Sequence, residues 1–252
     1  MKLTFLGTGT SIGVPEMLCK CPTCVSTDIR DKRLRTSALV QTDTTNLLID
    51  CGPDFRQQML RCGLERIDGV LVTHEHYDHV GGLDDLRPFC ASRSVPVYAE
   101  ELVIRHLMER IPYCFGSQKY PGTPTLELNE IEPDVPLRVG DIDILPLRVM
   151  HGRLPILGFR IGKLAYITDM KSMAAEEKSL LKGVDVLVVN ALHTKEHPTH
   201  QNVMQAVHFA EETGAGQTWF IHMSHRVGVH AIVDGKLPDS MHFAYDGLQI
   251  EV

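Results

Sequence analysis

Four potential metal ligands lie within six residues, directly after a short apolar run at residues 70–72. They follow the spacing H-x-H-x-D-H and are His74, His76, Asp78 and His79. A strand that ends in such a cluster sets several ligands at the end of a sheet, where two pairs can diverge toward two metals. Imidazole and carboxylate suit Zn, Mn or Fe, and no thiolate in the cluster narrows the choice. The alternative is a polar loop that contains these histidines by chance, but it would give a cluster of polar groups no partners and no other evident role.

Three further candidate ligands follow apolar runs later in the chain, as His74 does. They are His151, Asp169 and His222. Sites in layered α/β proteins gather at strand ends, so these side chains could converge on the first cluster. A two-metal site needs more ligands than the cluster supplies. This favours a metal-ligand role for His151 and His222 over the role of ordinary buried histidines. Asp169 has the chemistry to bridge two metals, and its alternative role is the N-cap of a following helix.

Other polar residues have roles that the residues alone leave open. Asp50 ends a predicted strand, where its carboxylate either orients a metal-binding histidine or makes a turn. His193, His197 and His200 share one predicted loop. Because imidazole titrates near neutrality, each of the three could act as an acid or a base. The sequence does not choose among them.

Three of the seven cysteines crowd into a C-x-C-x2-C segment formed by Cys19, Cys21 and Cys24. In a cytosolic chain, clustered cysteines indicate a metal before a disulfide. A tetrahedral structural zinc needs one more ligand than this segment supplies, and the alternative is a loop of free thiols. We expect a zinc-binding loop insertion at about residues 15–35.

Composition limits the partners of the 252-residue chain. Its net charge is −7 and its pI is about 6.0, with no block of Lys or Arg, so nucleic acid is not expected as a partner. A small anionic substrate stays compatible, because metals supply local positive charge. No apolar run approaches the roughly 20 residues of a membrane helix. Residues 2–6 predict a strand rather than a signal peptide, so we expect a cytoplasmic protein.

Each half of the chain shows several short predicted strands followed by helices. Clear examples are the strands at 67–72 and 142–149 and the helices at 53–62 and 201–212. No internal repeat or Pro-, Gly- or Ser-rich linker separates the halves. We therefore expect one domain over residues 1–252, made of two packed sheets with helices outside.

Three other segments have less regular patterns. A helix is predicted from Gly82 through Cys90, and short strands at 243–245 and 248–251 close the chain. The stretch at 111–124 is irregular, and its aromatic residues either anchor a long loop or form a lid or a dimer contact. These aromatic residues are Tyr113, Phe115 and Tyr120.

Together these motifs resemble the metallo-β-lactamase superfamily. The resemblance is carried by T-H-x-H-x-D-H at 73–79, Asp50 within L-I-D-C-G, His151, Asp169 and His222. The order and spacing cover nearly the whole chain. The resemblance implies an α/β fold, a four-layer αββα sandwich with a dinuclear metal site between the sheets.

Four motifs are similar to those of the PhnP family, the cyclic-phosphate phosphodiesterases of the carbon–phosphorus lyase pathway. They are G-T-G-x-x-x-G-V-P at 7–15, C-x-C-x2-C at 19–24, H-M-S-H at 222–225 and Y-D-G-L-Q-I at 245–250. The stretch at 111–124 does not align with that family, so the resemblance does not specify the substrate. It does imply a homodimer.

The resemblance to PhnP also assigns roles to residues. His200, just before the predicted helix at 201, matches the catalytic histidine, and Asp78 is both a ligand and a catalytic residue. Asp169 bridges two divalent metals. The first metal is held by His74, His76 and His151. The second is held by Asp78, His79 and His222. The structural zinc is held by Cys19, Cys21, Cys24 and His225.

The leading hypothesis from the sequence is hydrolysis of a small phosphodiester, such as a cyclic ribosyl phosphate. A hydroxide held between two metals would attack phosphorus, and His200 would donate a proton to the leaving alkoxide. Alternatives are a tRNA 3′ endonuclease, a thioester or lactone hydrolase, and a non-catalytic PqqB-like binding or carrier protein. The acidic charge argues against tRNA. The complete set of candidate ligands favours an enzyme over a carrier.

Overall fold

Residues 1–115 and 122–252 are described in a computed structural model, in which two β-sheets pack face to face. The first sheet takes its strands from the N-terminal half and from the end of the chain. Its strands are β1 (Lys2–Gly7), β2 (Ser37–Gln41), β3 (Asn46–Ile49), β4 (Gly69–Leu71), β5 (Val95–Ala99), β6 (Leu126–Glu130) and β14 (Gln249–Glu251). In space they lie in the order β14-β1-β2-β3-β4-β5-β6.

The second sheet is continuous in sequence. Its strands are β7 (Leu137–Val139), β8 (Ile142–His151), β9 (Leu154–Ile161), β10 (Leu164–Ile167), β11 (Val186–Asn190), β12 (Gln217–Ile221) and β13 (Met241–Phe243). They lie in the order β13-β12-β11-β10-β9-β8-β7. Each sheet is mixed, with a run of four parallel strands: β3 to β6 in the first and β10 to β13 in the second.

Helices occupy the connections. The α-helices are α1 (Pro22–Val25), α2 (Phe55–Cys62), α3 (Tyr77–Val80), α4 (Glu101–Arg110), α5 (Ala175–Ser179), α6 (Val203–Thr213) and α7 (His230–Val233). Short 3₁₀ segments cover Ile29–Asp31, Leu83–Cys90, Pro112–Cys114, His225–Val227 and Asp234–Lys236. Within the described residues, none of the helices has the length and apolar character needed to cross a membrane.

Three apolar layers hold these elements together. The central layer lies between the sheets and includes Phe5, Phe159 and Tyr166, which are fully buried. A second layer joins the outer face of the first sheet to α2 and α4, and a third joins the second sheet to α6. Burial on both faces explains why the central strands are continuous apolar runs. The order of layers is helix, sheet, sheet, helix, which confirms the predicted αββα sandwich.

Two of the correctly predicted helices, α2 and α6, end as their sequences indicate. Gly63 and Gly214 follow α2 and α6 with φ angles of 65° and 70°, a left-handed conformation that glycine adopts without a Cβ clash. Asn202 and Gln205 form a capping box at the start of α6. The capping box fixes the residue at which the loop before α6 ends, and that loop carries His200.

Strand direction places the ends of several strands at one edge of the sandwich. Strand β8 runs antiparallel to β9, and β9 runs antiparallel to β10, so β8 and β10 point the same way. The carboxyl ends of β8, β10, β11 and β12 therefore meet at one edge of the second sheet, as those of β3 and β4 do in the first. Candidate ligands follow these ends.

Some predicted elements were wrong in type or position. The strand predicted at 243–245 lies instead at Met241–Phe243. The helix predicted from Gly82 is a 3₁₀ segment that contains Pro88, which has no backbone N–H to donate in either type of helix. Strand β7 was missed, since three residues are too few to show a period. The ligand motif itself is partly helical, with α3 beginning at Tyr77.

The irregular stretch at 111–124 is described only in part. Phe115 packs against the apolar layer between the first sheet and its helices, which favours the anchoring role for this residue. Tyr113 is 38% exposed. Tyr120, with the rest of 116–121, lies outside the described residues, so its role as a lid, dimer contact or anchor stays a prediction.

A buried polar network ties the segment before β2 to α7. The Arg33 guanidinium is buried and donates to Thr8 Oγ1 at 2.8 Å and to His230 Nδ1 at 3.2 Å. The His230 backbone N–H donates to Asp31 at 2.8 Å. Because arginine only donates, His230 must accept through Nδ1 and is held neutral. Burial and the neighbouring Arg33 charge accordingly lower the pKa of His230.

This network predicts a pH dependence of stability. The unfolded chain protonates His230 near the ordinary histidine pKa of about 6.5, whereas the folded chain resists protonation. The stabilisation is therefore present above that pH and is lost as the pH falls toward the lowered pKa of the folded state. We expect His230→Gln to flatten the slope of unfolding free energy between about pH 7 and pH 5, measured by urea denaturation. His208→Gln, on the exposed face of α6, should keep the original slope; a parallel slope for His230→Gln would contradict the assignment.

Candidate active site and structural metal site

Each candidate ligand outside the first cluster stands at or just after the end of a strand. His151 is the last residue of β8, Asp169 lies two residues after β10, and His222 directly follows β12. His74 lies three residues after β4, and Asp50 directly follows β3. All five side chains are buried. This placement agrees with the prediction that the candidate ligands follow apolar strands and meet in space.

Three of these strand-end residues have an unusual backbone. Asp50, Asp169 and His222 have φ angles of 60°, 55° and 56°, in the left-handed region that residues other than glycine rarely adopt. Each conformation turns the chain sharply as it leaves the sheet. Backbone conformations of this kind cluster at functional sites, where the surrounding fold maintains them. Asp169 does not have its alternative role as the N-cap of the next helix, because Ala174 occupies that position.

Asp169 lies at the centre of the cluster. Its Oδ2 is 3.7 Å from His74 Nε2, 3.4 Å from His79 Nε2 and 3.4 Å from His200 Nε2. Its Oδ1 is 3.1 Å from His222 Nε2. One carboxylate thus faces four imidazoles, two from each sheet's strand-end loops.

Three overlapping groups of ligand atoms share this carboxylate. Within each group the potential ligand atoms lie within 4.8 Å of one another. The groups are Asp78, His79, Asp169 and His222; His74, His76 and Asp169; and His151, Asp169 and His200. The first matches the set predicted for one metal. His151 groups with His200 rather than with His74 and His76, although the His76 and His151 rings are 5.3 Å apart. The division of ligands between two metals stays a prediction.

The buried nitrogen atoms of the cluster fit a cation. Among the described residues, Nε2 of His74, His79, His200 and His222 makes no hydrogen bond, although all four atoms are buried and lie near the Asp169 carboxylate. Buried polar atoms normally have partners, and imidazole nitrogens aimed at a shared carboxylate make a typical divalent metal site. The donor set contains only nitrogen and oxygen, which suits Zn, Mn or Fe.

Charges within the cluster oppose the effect of burial. Burial alone would raise the pKa of Asp169 and Asp78, but the neighbouring His79 and His222 hold both pKa values below the usual range. Burial and the neighbouring His79 charge lower the pKa of His74. His79 is the exception, because three carboxylates, Asp169 first, raise its pKa despite burial. The site is therefore built to keep its carboxylates ionised.

Hydrogen bonds on the far side of the ligands fix their orientation. Asp50 Oδ2 accepts from His79 Nδ1 at 2.7 Å, and the same carboxylate accepts from the backbone N–H of Thr73 at 2.8 Å. His151 Nδ1 donates to the Asp169 carbonyl at 2.8 Å. Each of these bonds leaves Nε2 of the ligand to face the cluster. Asp50 thus has the contacts expected of a residue that orients a metal-binding histidine.

The loop before α6 brings one of its three histidines to the cluster. His200 Nε2 faces Asp169, while its Nδ1 lies 3.0 Å from Thr199 Oγ1 and 3.2 Å from His197 Nδ1. Burial lowers the pKa of His200 to about 4, although the neighbouring Asp169 carboxylate acts in the opposite direction. His193 is buried and contacts His197, with ring centroids 5.7 Å apart. The sequence alone did not indicate which of the three histidines reaches the cluster. The contacts that Thr199 makes exist only in the folded structure, so no sequence pattern revealed them.

A second cluster joins the three clustered cysteines to His225. His225 Nδ1 lies 3.2 Å from the sulfurs of both Cys19 and Cys21, and all four ligand atoms, including Cys24 Sγ, lie within 4.8 Å of one another. Three cysteines and one histidine are a closed tetrahedral set for structural zinc. Burial opposes ionisation of Cys21, but hydrogen bonds from Cys24 and His225 outweigh it and lower the Cys21 pKa to about 6. A thiolate is the form that binds zinc.

Glu16 was not recognised from the sequence. Its Oε2 lies 2.8 Å from His225 Nε2, on the side of the ring away from the cysteines. A carboxylate behind a histidine fixes which nitrogen faces the metal, as Asp50 does for His79. Glu16 lies three residues before Cys19, and nothing in that spacing distinguishes it from a surface residue.

Loss of one cysteine should remove the metal of this second cluster. We expect Cys24→Ser to lower the zinc content by one ion per chain and the free energy of unfolding by about 3 kcal/mol, because a zinc ion bound there would tie residues 15–35 to the segment after β12. Elemental analysis and urea denaturation test this. Cys62→Ser, at the end of α2, is the matched control and should keep both values. An unchanged zinc content in Cys24→Ser would exclude the site.

A family model described as the β-lactamase superfamily domain matches residues 45–223, which includes every strand-end ligand described above. The chain belongs to the metallo-β-lactamase superfamily. This superfamily member is also similar to a crystal structure of a new diphosphatase from the PhnP family. The TM-score is 0.92 at 38% identity, over 99% of this chain and 96% of the other. The predicted resemblance to the superfamily and to PhnP is confirmed.

Two relatives carry other names. An octanoyltransferase of Porphyromonas gingivalis is 50% identical over 251 residues, which are 99% of this chain but 51% of that protein. The chain therefore spans about half the length of that relative. Coenzyme PQQ synthesis protein B of Methylobacterium nodulans is 30% identical over 224 residues, 75% of this chain and 72% of that protein. Membership of the superfamily thus does not by itself define the substrate.

Proposed function

We propose that this chain is a metal-dependent hydrolase that cleaves small phosphodiesters, with cyclic ribosyl phosphates among the candidate substrates. The observation that carries the proposal is the Asp169 carboxylate, which has the buried Nε2 atoms of four histidines within 3.7 Å, none of them in a hydrogen bond with the described residues. The PhnP-family diphosphatase, with nearly the same backbone, supports phosphoryl chemistry at such a site. The acidic net charge of −7 supports a small substrate over RNA or DNA.

The roles of the residues follow from their positions. His74, His76, His79, His151, His222, Asp78 and Asp169 would hold two divalent cations. Such cations, when bound, lower the pKa of water and neutralise charge on a phosphate. Hydrolysis forms a bond from a water oxygen to phosphorus and breaks the ester bond on the opposite side. A proton must then reach the leaving alkoxide.

His200 is placed to supply that proton. Its Nε2 faces the cluster, and its Nδ1 is held by Thr199 and His197, which fixes the plane of the ring. Burial lowers the pKa of His200, but the neighbouring Asp169 carboxylate favours its protonated form, which is the form that can donate a proton in the transition state. Asp50 and the Asp169 carbonyl keep their histidines oriented while substrate binds. The structural zinc proposed at Cys19, Cys21, Cys24 and His225 would hold the loop at 15–35 within the same domain.

Hydrolysis of an acyl thioester is the second candidate. The 50% identical relative from Porphyromonas gingivalis is named an octanoyltransferase, a name that belongs to a protein twice as long as the match. A hydrolytic site of this kind can act on a polarised carbonyl as well as on a phosphoryl group. Octanoyl thioesters are therefore the acyl substrates to compare with phosphodiesters.

One experiment separates the candidates. The purified protein is analysed for metals, and turnover of bis-p-nitrophenyl phosphate and of octanoyl-coenzyme A is measured before chelation, after chelation, and after Mn, Zn or Fe is added back. We expect phosphodiester turnover that chelation removes and metal restores. Restored thioester turnover alone would favour the second candidate. Metal binding with neither activity would favour a binding or carrier protein related to coenzyme PQQ synthesis protein B.

A further inference from the structure

His222 differs from four other histidines of the metal cluster in how its ring is held. In those four an oxygen atom lies 2.7–3.0 Å from Nδ1, and they are His74, His79, His151 and His200. Nδ1 of His222 is buried and makes no hydrogen bond with the described residues. A partner at Nδ1 normally fixes the orientation of a ligating imidazole. The position of the His222 ring must therefore come from the backbone that carries it.

The residue after His222 is held by the Gly-rich turn that follows β1, at residues 8–13. Met223 is fully buried, and its N–H donates to the carbonyl oxygen of Thr8 at 3.0 Å. The carbonyl oxygen of Met223 accepts from the N–H of Thr10, also at 3.0 Å. The chain turns sharply at His222, where φ is 56°. A shift of Met223 would therefore move the His222 ring relative to the cluster.

Buried polar groups anchor this turn. The N–H and Oγ1 of Thr8 donate to the Asp246 carboxylate at 2.9 and 2.8 Å, and the same Oγ1 accepts from Arg33 at 2.8 Å. The second oxygen of the carboxylate accepts from the N–H of Leu34 at 2.7 Å. Since its carbonyl oxygen binds Met223, every polar group of Thr8 is used. Thr8 thus fixes Met223 to a buried part of the fold.

Close packing leaves the turn no room to shift. The N–H of Gly9 donates to the carbonyl oxygen of Leu34 at 2.8 Å, and its carbonyl oxygen accepts from the N–H of Thr36 at 3.0 Å. A Cβ at position 9 would lie 2.9 Å from the carbonyl oxygen of Arg33 and 3.0 Å from that of Leu34. Contacts this short require the backbone to move, so alanine in place of Gly9 would displace the turn and Met223 with it.

We propose that the Gly-rich turn positions His222 through the backbone of Met223. Thr8 and Gly9 are then positioning residues for one metal of the cluster, because they hold a ligand whose ring has no hydrogen bond at Nδ1. This inference rests on the proposed two-metal site and gives the G-T-G segment a role in it. Loss of a partner that orients a ligand lowers metal affinity by about 10- to 100-fold.

Binding of Mn²⁺ tests the proposal without turnover. Mn²⁺ is added to protein freed of exchangeable metal, and the electron paramagnetic resonance signal of unbound Mn²⁺ gives the number of bound ions and their affinities. We expect the unaltered protein to bind two ions. Gly9→Ala should bind the first with unchanged affinity and the second about tenfold more weakly or worse. Thr8→Val, which lacks the hydroxyl bonded to Asp246 and Arg33, should do the same, and Thr8→Ser should restore full binding.

Gly140→Ala is the matched control. Gly140 lies between β7 and β8, at the end of β8 opposite His151, and a Cβ there would lie 2.1 Å from Thr45 Oγ1. This variant should lose stability but keep both Mn²⁺ affinities. His222→Ala should retain one ion. Adding Gly9→Ala to that variant should not weaken the remaining ion, because both substitutions act on the same ligand.

The outcomes separate this proposal from that of phosphodiester hydrolysis. Unchanged Mn²⁺ binding in Gly9→Ala and Thr8→Val would overturn the positioning role and leave the hydrolase proposal intact. Weaker binding of both ions, or a further loss in the His222→Ala background, would show a general structural effect and overturn it as well. Selective loss of one ion in a protein that hydrolyses no phosphodiester would support the positioning role while the phosphodiesterase proposal fails. If Gly9→Ala does not fold, Thr8→Val and Thr8→Ser decide the question. A cluster that binds no Mn²⁺ would overturn both proposals.

Discussion

Replacing Asp169 with asparagine is expected to lower phosphodiester turnover by about 10³-fold or more, since its carboxylate is common to all three groups of ligand atoms. Asparagine keeps the size of the side chain and tolerates the left-handed backbone at this position. The loss should therefore come from the missing charge and not from a changed fold. Elemental analysis should show fewer bound metals, and kcat should fall with little change in the far-UV circular dichroism spectrum.

Asp134 provides a matched control for this experiment. It is also an aspartate with a left-handed backbone, at a φ of 62°, but it is exposed and precedes β7. Asp134→Asn should keep both the metal content and the turnover. Should Asp169→Asn also keep full activity, the carboxylate would not be a ligand, and the cluster would have to be reinterpreted as a set of stacked histidines.

Replacing His200 with alanine is expected to have the second largest effect, and that effect should depend on the leaving group. A cyclic sugar phosphate releases an alkoxide, which is a poor leaving group and needs a proton. The rate on this substrate should therefore fall by about 10²-fold or more. With bis-p-nitrophenyl phosphate the leaving phenolate is stable without one, and the loss should be below about tenfold. The measurement is kcat for both substrates with the same metal-loaded preparation.

The comparison of substrates distinguishes a proton donor from a metal ligand. His200 Nε2 lies 3.4 Å from Asp169 Oδ2 and belongs to one of the three groups of ligand atoms, so both roles are compatible with its position. Equal losses on the two substrates, together with a lower metal content, would assign it as a ligand and remove the acid role. His208→Ala, on the exposed face of α6, should leave both rates unchanged.

Much of the site was predictable because its residues stand where apolar strands end. His74, His151, Asp169 and His222 each follow a buried run, and parallel strands in a sandwich bring such ends together. The C-x-C-x2-C spacing indicated a metal loop in the same way. The resemblance to the PhnP family supplied what the spacing did not, namely His225 as the expected fourth zinc ligand and His200 as the candidate catalytic histidine of its loop.

Other features could not be predicted, for physical reasons. Glu16 and Thr199 act through contacts made in three dimensions, and neither lies at a spacing that any local pattern requires. Strand β7 is three residues long, and its pairing with β8 is what makes it a strand. The segment after Gly82 is a 3₁₀ helix, and an apolar pattern over eight residues does not distinguish this type from an α-helix.

The left-handed backbone at three strand ends limits which substitutions a screen can interpret. In a library that randomises positions 50, 169 and 222 and selects only for folded protein, glycine and asparagine should be enriched, since they adopt φ angles near 55–60° at least cost. Valine and isoleucine should be depleted there whether or not metal is present. A map of tolerated residues would therefore mark these positions as constrained even in a variant without activity. Only an enrichment of aspartate and histidine relative to asparagine and glycine would indicate a role in metal binding or catalysis.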